Sequence, residues 1–194
     1  MKNIIAIFLC AIVIASASAQ VFSQEKEKTV SGFCESETTV SQDAKPNHQL
    51  NCYVTKKLTE KWGLYGWGQT SRSYSQAYGG VTFSPTTWAQ VGLAAGVEQA
   101  KKKGRIAGFV WTGKKKVSNL LIVETGGSGT WFKETLSYQA TKRVAVSFVS
   151  QRFLATTGFG VDVSLGKGFT AYAIGGRDLE FQKTRGAFGI RKTF

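Results

Sequence analysis

Residues 89–97 read Ala-Gln-Val-Gly-Leu-Ala-Ala-Gly-Val, and alternation splits them into two faces of unequal character. Ala89, Val91, Leu93, Ala95 and Val97 make one face wholly apolar, while Gln90, Gly92, Ala94 and Gly96 make the other small, with one amide. Successive side chains of a strand point to opposite sides of a sheet, so this is a strand with one greasy face and one smooth face. A soluble sheet coats its second face with charge, and a thick core fills it with large residues. This segment does neither.

The same pattern recurs. Phe159, Val161, Val163 and Leu165 alternate with Gly160, Asp162, Ser164 and Gly166; Val144, Val146 and Phe148 alternate with Ala145, Ser147 and Val149. Phe132, Leu136 and Tyr138 share a face with one misfit, Glu134, opposite Trp131, Lys133, Thr135 and Ser137. Near the end, Phe188, Ile190 and Phe194 oppose Arg185, Ala187, Gly189 and Arg191. Turn-forming stretches place strands near 62–71, 75–84, 88–99, 104–113, 117–126, 130–140, 143–154, 157–166, 168–176 and 183–194. Such strands match the 9 to 11 residues that cross a bilayer at a tilt and exceed the usual soluble length of about 5 or 6.

Long meandering strands leave two edges of unpaired amides unless the sheet closes, and hydrocarbon tolerates only closure. The expected fold is therefore all-β, a closed antiparallel up-and-down barrel of about ten strands (8–12) over residues 61–194. Residues 20–60 are expected to form a polar, mostly irregular extension, because 20–47 are poor in large apolar side chains. The smooth faces should line the interior and Val, Leu and Phe should meet lipid.

Residues 1–19 have the form of a secretory leader: Lys2, an apolar run from Ile4 to Ala15, then Ala17-Ser18-Ala19. The run is shorter than the roughly 20 residues of a spanning helix. In an exported chain the pair Cys34 and Cys52 predicts a disulfide. Charge is uneven. Residues 20–60 hold five Lys against six acids, whereas 61–194 hold 19 Lys or Arg against six acids, a net of +13.

That excess gathers in turns, at Lys101, Lys102 and Lys103, at Lys114, Lys115 and Lys116, at Lys142 with Arg143, and at Lys167. A Lys or Arg at the bilayer midplane costs about 2–4 kcal/mol and near nothing at the headgroups, so the two triple-lysine turns are candidate headgroup or lipopolysaccharide contacts. Because the clusters alternate between opposite ends, they make no single groove for nucleic acid, and none is expected as a partner. Trp62, Phe83, Trp88, Trp131, Phe153, Phe159, Phe169 and Phe181 lie near strand ends, as an interfacial belt requires; Tyr65, Trp67 and Phe109 lie mid-strand and do not fit it.

An exported chain of alternating strands, with tight turns such as Ser84-Pro85-Thr86-Thr87 and a last strand Ala187 to Phe194 ending on an aromatic, resembles the small bacterial outer-membrane β-barrels. The resemblance implies cell outer-membrane localisation, both termini in the periplasm, an even strand number, and Phe194 as an assembly signal read by the barrel assembly machinery. Lys192, two before the end, departs from that family's apolar preference.

No enzyme is expected. The one histidine, His48, falls in the extension, and the barrel's acids (Glu98, Glu124, Glu134, Asp162, Asp178 and Glu180) are scattered. Cofactors and metals are not expected either. Arg105, Lys133, Arg185 and Arg191 should face the lumen and either pair with Glu98 and Asp162 or favour anions. A barrel this narrow is mostly filled by side chains, so a structural role or narrow permeation of small, in particular anionic, solutes is expected. The alternative reading is a secreted soluble β-barrel or sandwich holding an apolar ligand or a polyanion.

Overall fold

The structure is a computed structural model that describes residues 30–42, 44–152, 157–178 and 182–194. The leader expected at 1–19 lies outside the described residues. Among the described residues, twelve strands form one closed antiparallel barrel: β1 (Val30–Ser41), β2 (Ala44–Lys57), β3 (Trp62–Ser71), β4 (Ser75–Thr86), β5 (Ala89–Glu98), β6 (Gly104–Lys114), β7 (Val117–Gly126), β8 (Gly129–Gln139), β9 (Val144–Gln151), β10 (Thr157–Gly166), β11 (Phe169–Asp178) and β12 (Lys183–Thr193). Each strand pairs with its sequence neighbours, and β1 closes on β12 from Phe33 opposite Thr193 to Ser41 opposite Arg185.

The expected extension at 20–60 is corrected for residues 30–57, which are β1 and β2, so the barrel has twelve strands instead of about ten. These two strands lack apolar contrast: β1 places Glu35 and Glu37 on one face and Ser36 and Thr38 on the other. They are held by full ladders on both sides and by the Cys34–Cys52 disulfide, which joins directly opposed residues of the hairpin, Cα atoms 4.1 Å apart. Adding two strands preserves parity, so the start of β1 and the end of β12 stay at one end of the cylinder, the terminal end. That terminal end also carries the turns at 84–88, 114–117, 140–143 and 166–169, while 99–103 and 127–128 lie at the opposite, loop end.

The orientation of side chains follows the alternation. Leu93 is 66% exposed and Phe159 74%, with Val91, Val161 and Val163 also exposed on the outer wall, although each is apolar and lies within a paired strand. Their neighbours Gly92 and Ala94 are buried inward. Small inward residues are required where aromatics cross the lumen. A Cβ on Gly92 would come within 2.1 Å of the Phe109 ring.

Aromatics divide between the two sides. Trp62, Trp88, Phe169 and Tyr138 are exposed around the terminal end, Trp62 packing on Phe83 with ring centres 4.7 Å apart. Trp131 departs from the expected belt: it occupies an inward position of β8, on the same face as Lys133. Phe153 and Phe181 lie outside the described residues. Tyr65, Trp67 and Phe109 point inward, which is why no belt accommodates them.

Candidate functional site: the barrel lumen

Inward positions of β2 to β6 supply an aromatic packing that fills one side of the lumen. Tyr65, Tyr78, Ala94 and Ala107 are buried there, with Tyr53, Trp67 and Phe109 packed against them. Tyr65 meets Phe109 edge-on at 5.3 Å and Trp67 stacks on Tyr78 at 5.3 Å, geometries aromatic pairs prefer. The inward residues of β8 to β10 are mixed: Thr135, Ser137, Ala145, Ser147 and Gly160 are small, while Trp131 and Lys133 of β8 and Asp162 of β10 share their face. We refer to the side of the lumen along β8 to β10, away from that aromatic packing, as the crescent. At the terminal end it meets a mouth of about 240 Å3 lined by Trp111, Ser118, Ser137, Gln139, Ala145 and Lys114 to Lys116.

At the loop end the packed side is sealed by Arg105. Its Nη1 lies 3.1 Å from Glu98 Oε2 and its Nε 3.3 Å from Glu124 Oε2. Nε also donates to the Tyr78 hydroxyl at 2.6 Å, and Nη1 donates to Ser128 Oγ at 2.7 Å. The carboxylates are satisfied in turn: Tyr78 OH donates to Glu124 at 2.8 Å, Tyr74 OH to Glu98 at 2.7 Å, and Ser128 N to Glu98 Oε1 at 2.9 Å, while Ser128 Oγ also donates to Glu98. Buried charge persists only when paired and fully hydrogen-bonded. Tyr74 lies in the β3–β4 turn, where burial and its Glu98 acceptor push the phenol up to about 12, so it remains a donor throughout neutral pH.

From this seal a chain of side-chain hydrogen bonds runs round the wall. Tyr74 OH, whose proton goes to Glu98, lies 2.8 Å from Gln76 Oε1; Gln76 donates to Gln69, Gln69 to Gln49, and Gln49 to Glu37 at 2.6 Å. Tyr172 OH donates to Glu37 at 2.9 Å. Beside it, Arg191 holds Glu35 at 2.8 Å and Asp162 at 3.5 Å, its guanidinium 5.2 Å from the ring centres of both Phe33 and Tyr172. Arg185 pairs with Asp178 at 2.9 Å.

Of the expected lumen charges, Arg105 with Glu98 and Arg191 with Asp162 are brought together as pairs, and Arg185 faces inward. Lys133 faces the crescent and forms no ion pair among the described residues. Glu35, Glu37, Glu124, Asp178, Tyr78 and Tyr172 complete the network, and the sequence does not single them out. Their one signal is an acid or tyrosine at an inward position of an alternating strand, which needs β1 to be recognised as a strand. The lysine turns fall at opposite ends, Lys101 to Lys103 at the loop end and Lys114 to Lys116 at the terminal end. Phe194 extends the closing ladder: its N donates to Gly32 O at 3.0 Å and its O accepts from Gly32 N at 3.2 Å. His48 lies on the surface, hydrogen-bonded to Thr38 Oγ1 at 2.8 Å.

A closed twelve-stranded cylinder with an apolar outer wall and a charged, hydrogen-bonded interior defines the class of fold: a β-barrel with the architecture of outer-membrane barrels. No protein-family model matches the sequence, and no curated protein matches it significantly. Solved structures match its fold. A KdgM porin superimposes with a TM-score of 0.60 at 10% identity, over 84% of this chain and 99% of that one. A structure described as KdgM porin in complex with disordered oligogalacturonate gives 0.59 at 12% identity, over 84% and 99%. NanC porin gives 0.57 at 8% identity, over 83% and 100%. At such identities the likeness concerns architecture, and the lumen chemistry is this chain's own.

Proposed function

We propose that the chain is an integral outer-membrane barrel that passes small solutes along the crescent against β8 to β10. The observation that carries the reading is the exposed outward ring of Val91, Leu93, Phe159, Val161 and Val163 on a closed cylinder. Water would not tolerate that wall, and lipid requires it. The soluble alternative needs those side chains turned inward.

The lumen arginines are held by carboxylates, so an entering solute meets Lys133 in the crescent and basic turns at both mouths. Clefts lined by one sign of charge concentrate the opposite sign, which favours small anions. The acidic oligogalacturonate bound by one KdgM porin belongs to the same solute class. On this reading the lysine turns Lys101 to Lys103 and Lys114 to Lys116 would meet anionic headgroups or lipopolysaccharide, and Phe194, at the closing seam, would be read by the barrel assembly machinery.

Two measurements test this. The folded chain should migrate faster unboiled than boiled on a detergent gel, and recovery as a detergent-free soluble protein would defeat the membrane reading. In planar bilayers under a salt gradient, Lys133→Glu should move the reversal potential toward cation preference while the heat shift is kept. Baseline currents from a folded, heat-shifting barrel would leave only the structural role.

A further inference from the structure

The outer wall is not uniform. Across β4 to β7 two outward rows run side by side, Val81–Leu93–Gly108–Val123 and Phe83–Val91–Val110–Leu121. Gly108 has no side chain between Leu93 and Val123, so the rows enclose a trough of about 580 Å3 whose lining is almost wholly apolar. The Trp62 and Phe83 rings bound it at the terminal end. From Val110 the strand continues four residues to Lys114, roughly 13 Å at the usual rise, into the turn Lys114 to Lys116. Lys116 lies on the outer side of that rim, its Nζ 5.9 Å from the centre of the exposed Tyr138 ring. Glu134, held by the Asn119 amide at 3.1 Å, lies opposite Leu121 on the next strand, higher than the lysines and nearer the middle of the wall.

We infer that this trough holds one acyl chain of an anionic diacyl phospholipid whose phosphate is bound by Lys114 to Lys116. The inference rests on the membrane reading above and names the lipid and its place on the wall. Charge selects the occupant: apolar surface alone would take any lipid, but the three-lysine turn that joins β6 and β7, two strands of the trough, edges the lumen mouth on one side and the outer rim at Lys116 on the other, and it matches a phosphate with net negative charge. Glu134 strengthens the polarity of the site, since it opposes an anionic group toward the middle of the wall and leaves the lysine rim as the place for one.

The full chain, folded in detergent, is mixed with dioleoylphosphatidylglycerol or dioleoylphosphatidylcholine and weighed by native mass spectrometry. One phosphatidylglycerol should be retained, at least five-fold more than phosphatidylcholine under equal activation. Changing Lys114→Gln, Lys115→Gln and Lys116→Gln together should abolish the preference, whereas the same change at Lys101 to Lys103 should not. Gly108→Leu should lower retention of both lipids, because a Cβ there meets nothing closer than Gly92 O at 3.5 Å and the added side chain fills the trough without straining the strand. Equal retention of the two lipids, multiple unsaturable adducts, or a dimer without lipid overturns the inference. Retention is compared only between samples that show the heat shift, so loss of that shift counts against the membrane reading and not against the lipid site.

Discussion

Arg105→Ala should lower the stability of the barrel more than any other single change in the lumen. The substitution leaves Glu98 and Glu124 facing each other across a site where both side chains are 2% exposed or less. Removing one partner of a buried ion pair costs about 3–5 kcal/mol, because the remaining charge is uncompensated. Here one guanidinium serves two carboxylates and also donates to Tyr78 and Ser128, which places the effect at the upper end. The midpoint of unfolding in urea should fall accordingly. Currents should become larger or noisier, since the loop-end seal between Tyr74, Ser128 and the β5–β6 turn loses its centre. The triple variant Arg105→Ala, Glu98→Gln and Glu124→Gln separates charge from packing: neutral amides should recover much of the stability while the seal stays loosened. If Arg105→Ala leaves both the urea midpoint and the conductance unchanged, the buried cluster does not hold the loop end.

How much of the fold is legible in the sequence depends on contrast between faces. β5 and β10 oppose Val, Leu and Phe to Gly, Ala and Ser, and the expected ends agree with the observed ones within one residue. β1 opposes Glu35 and Glu37 to Ser36 and Thr38, so no period of two in hydrophobicity exists to be read. Its strand character comes from partners: β12 on one side, β2 on the other, and a disulfide at a directly opposed pair. The lumen shows the same division. That Arg105 and Glu98 face inward follows from alternation along single strands. That Glu124 of β7 and Tyr78 of β4 reach the same guanidinium follows from register across strands, 46 residues apart for that tyrosine–glutamate bond, and register is a property of the closed sheet. The mid-strand aromatics Tyr65, Trp67 and Phe109 carry the missing information. Twelve strands enclose a wider space than ten, and these rings fill the part of it that lies against β2 to β6.

Val161→Arg should cost about 2–4 kcal/mol of stability in lipid, the expense of a guanidinium near the bilayer midplane on a barrel's outer wall. Val161 is the fifth residue of β10, outward and flanked across the sheet by Val146 and Ala173, apolar neighbours that offer an arginine no countercharge. Ser147→Lys is the matched comparison. Ser147 is one residue from Val146, yet it lies on the crescent face beside Gly160, on the side of the sheet that carries Asp162. There the new ammonium stays among water and charge, and stability should change by about 0.5 kcal/mol or less, the range of an ordinary surface substitution, while small-anion conductance rises. Urea titration of both variants folded into phosphatidylcholine vesicles measures the difference directly. Equal costs, or a larger cost at residue 147, would mean that the two faces of β10 and β9 do not separate lipid from lumen, and the membrane assignment would fail with them. The comparison is sharp because the two sites differ by one step along neighbouring strands, so backbone propensity, depth and loop context are nearly shared and only the direction of the side chain changes.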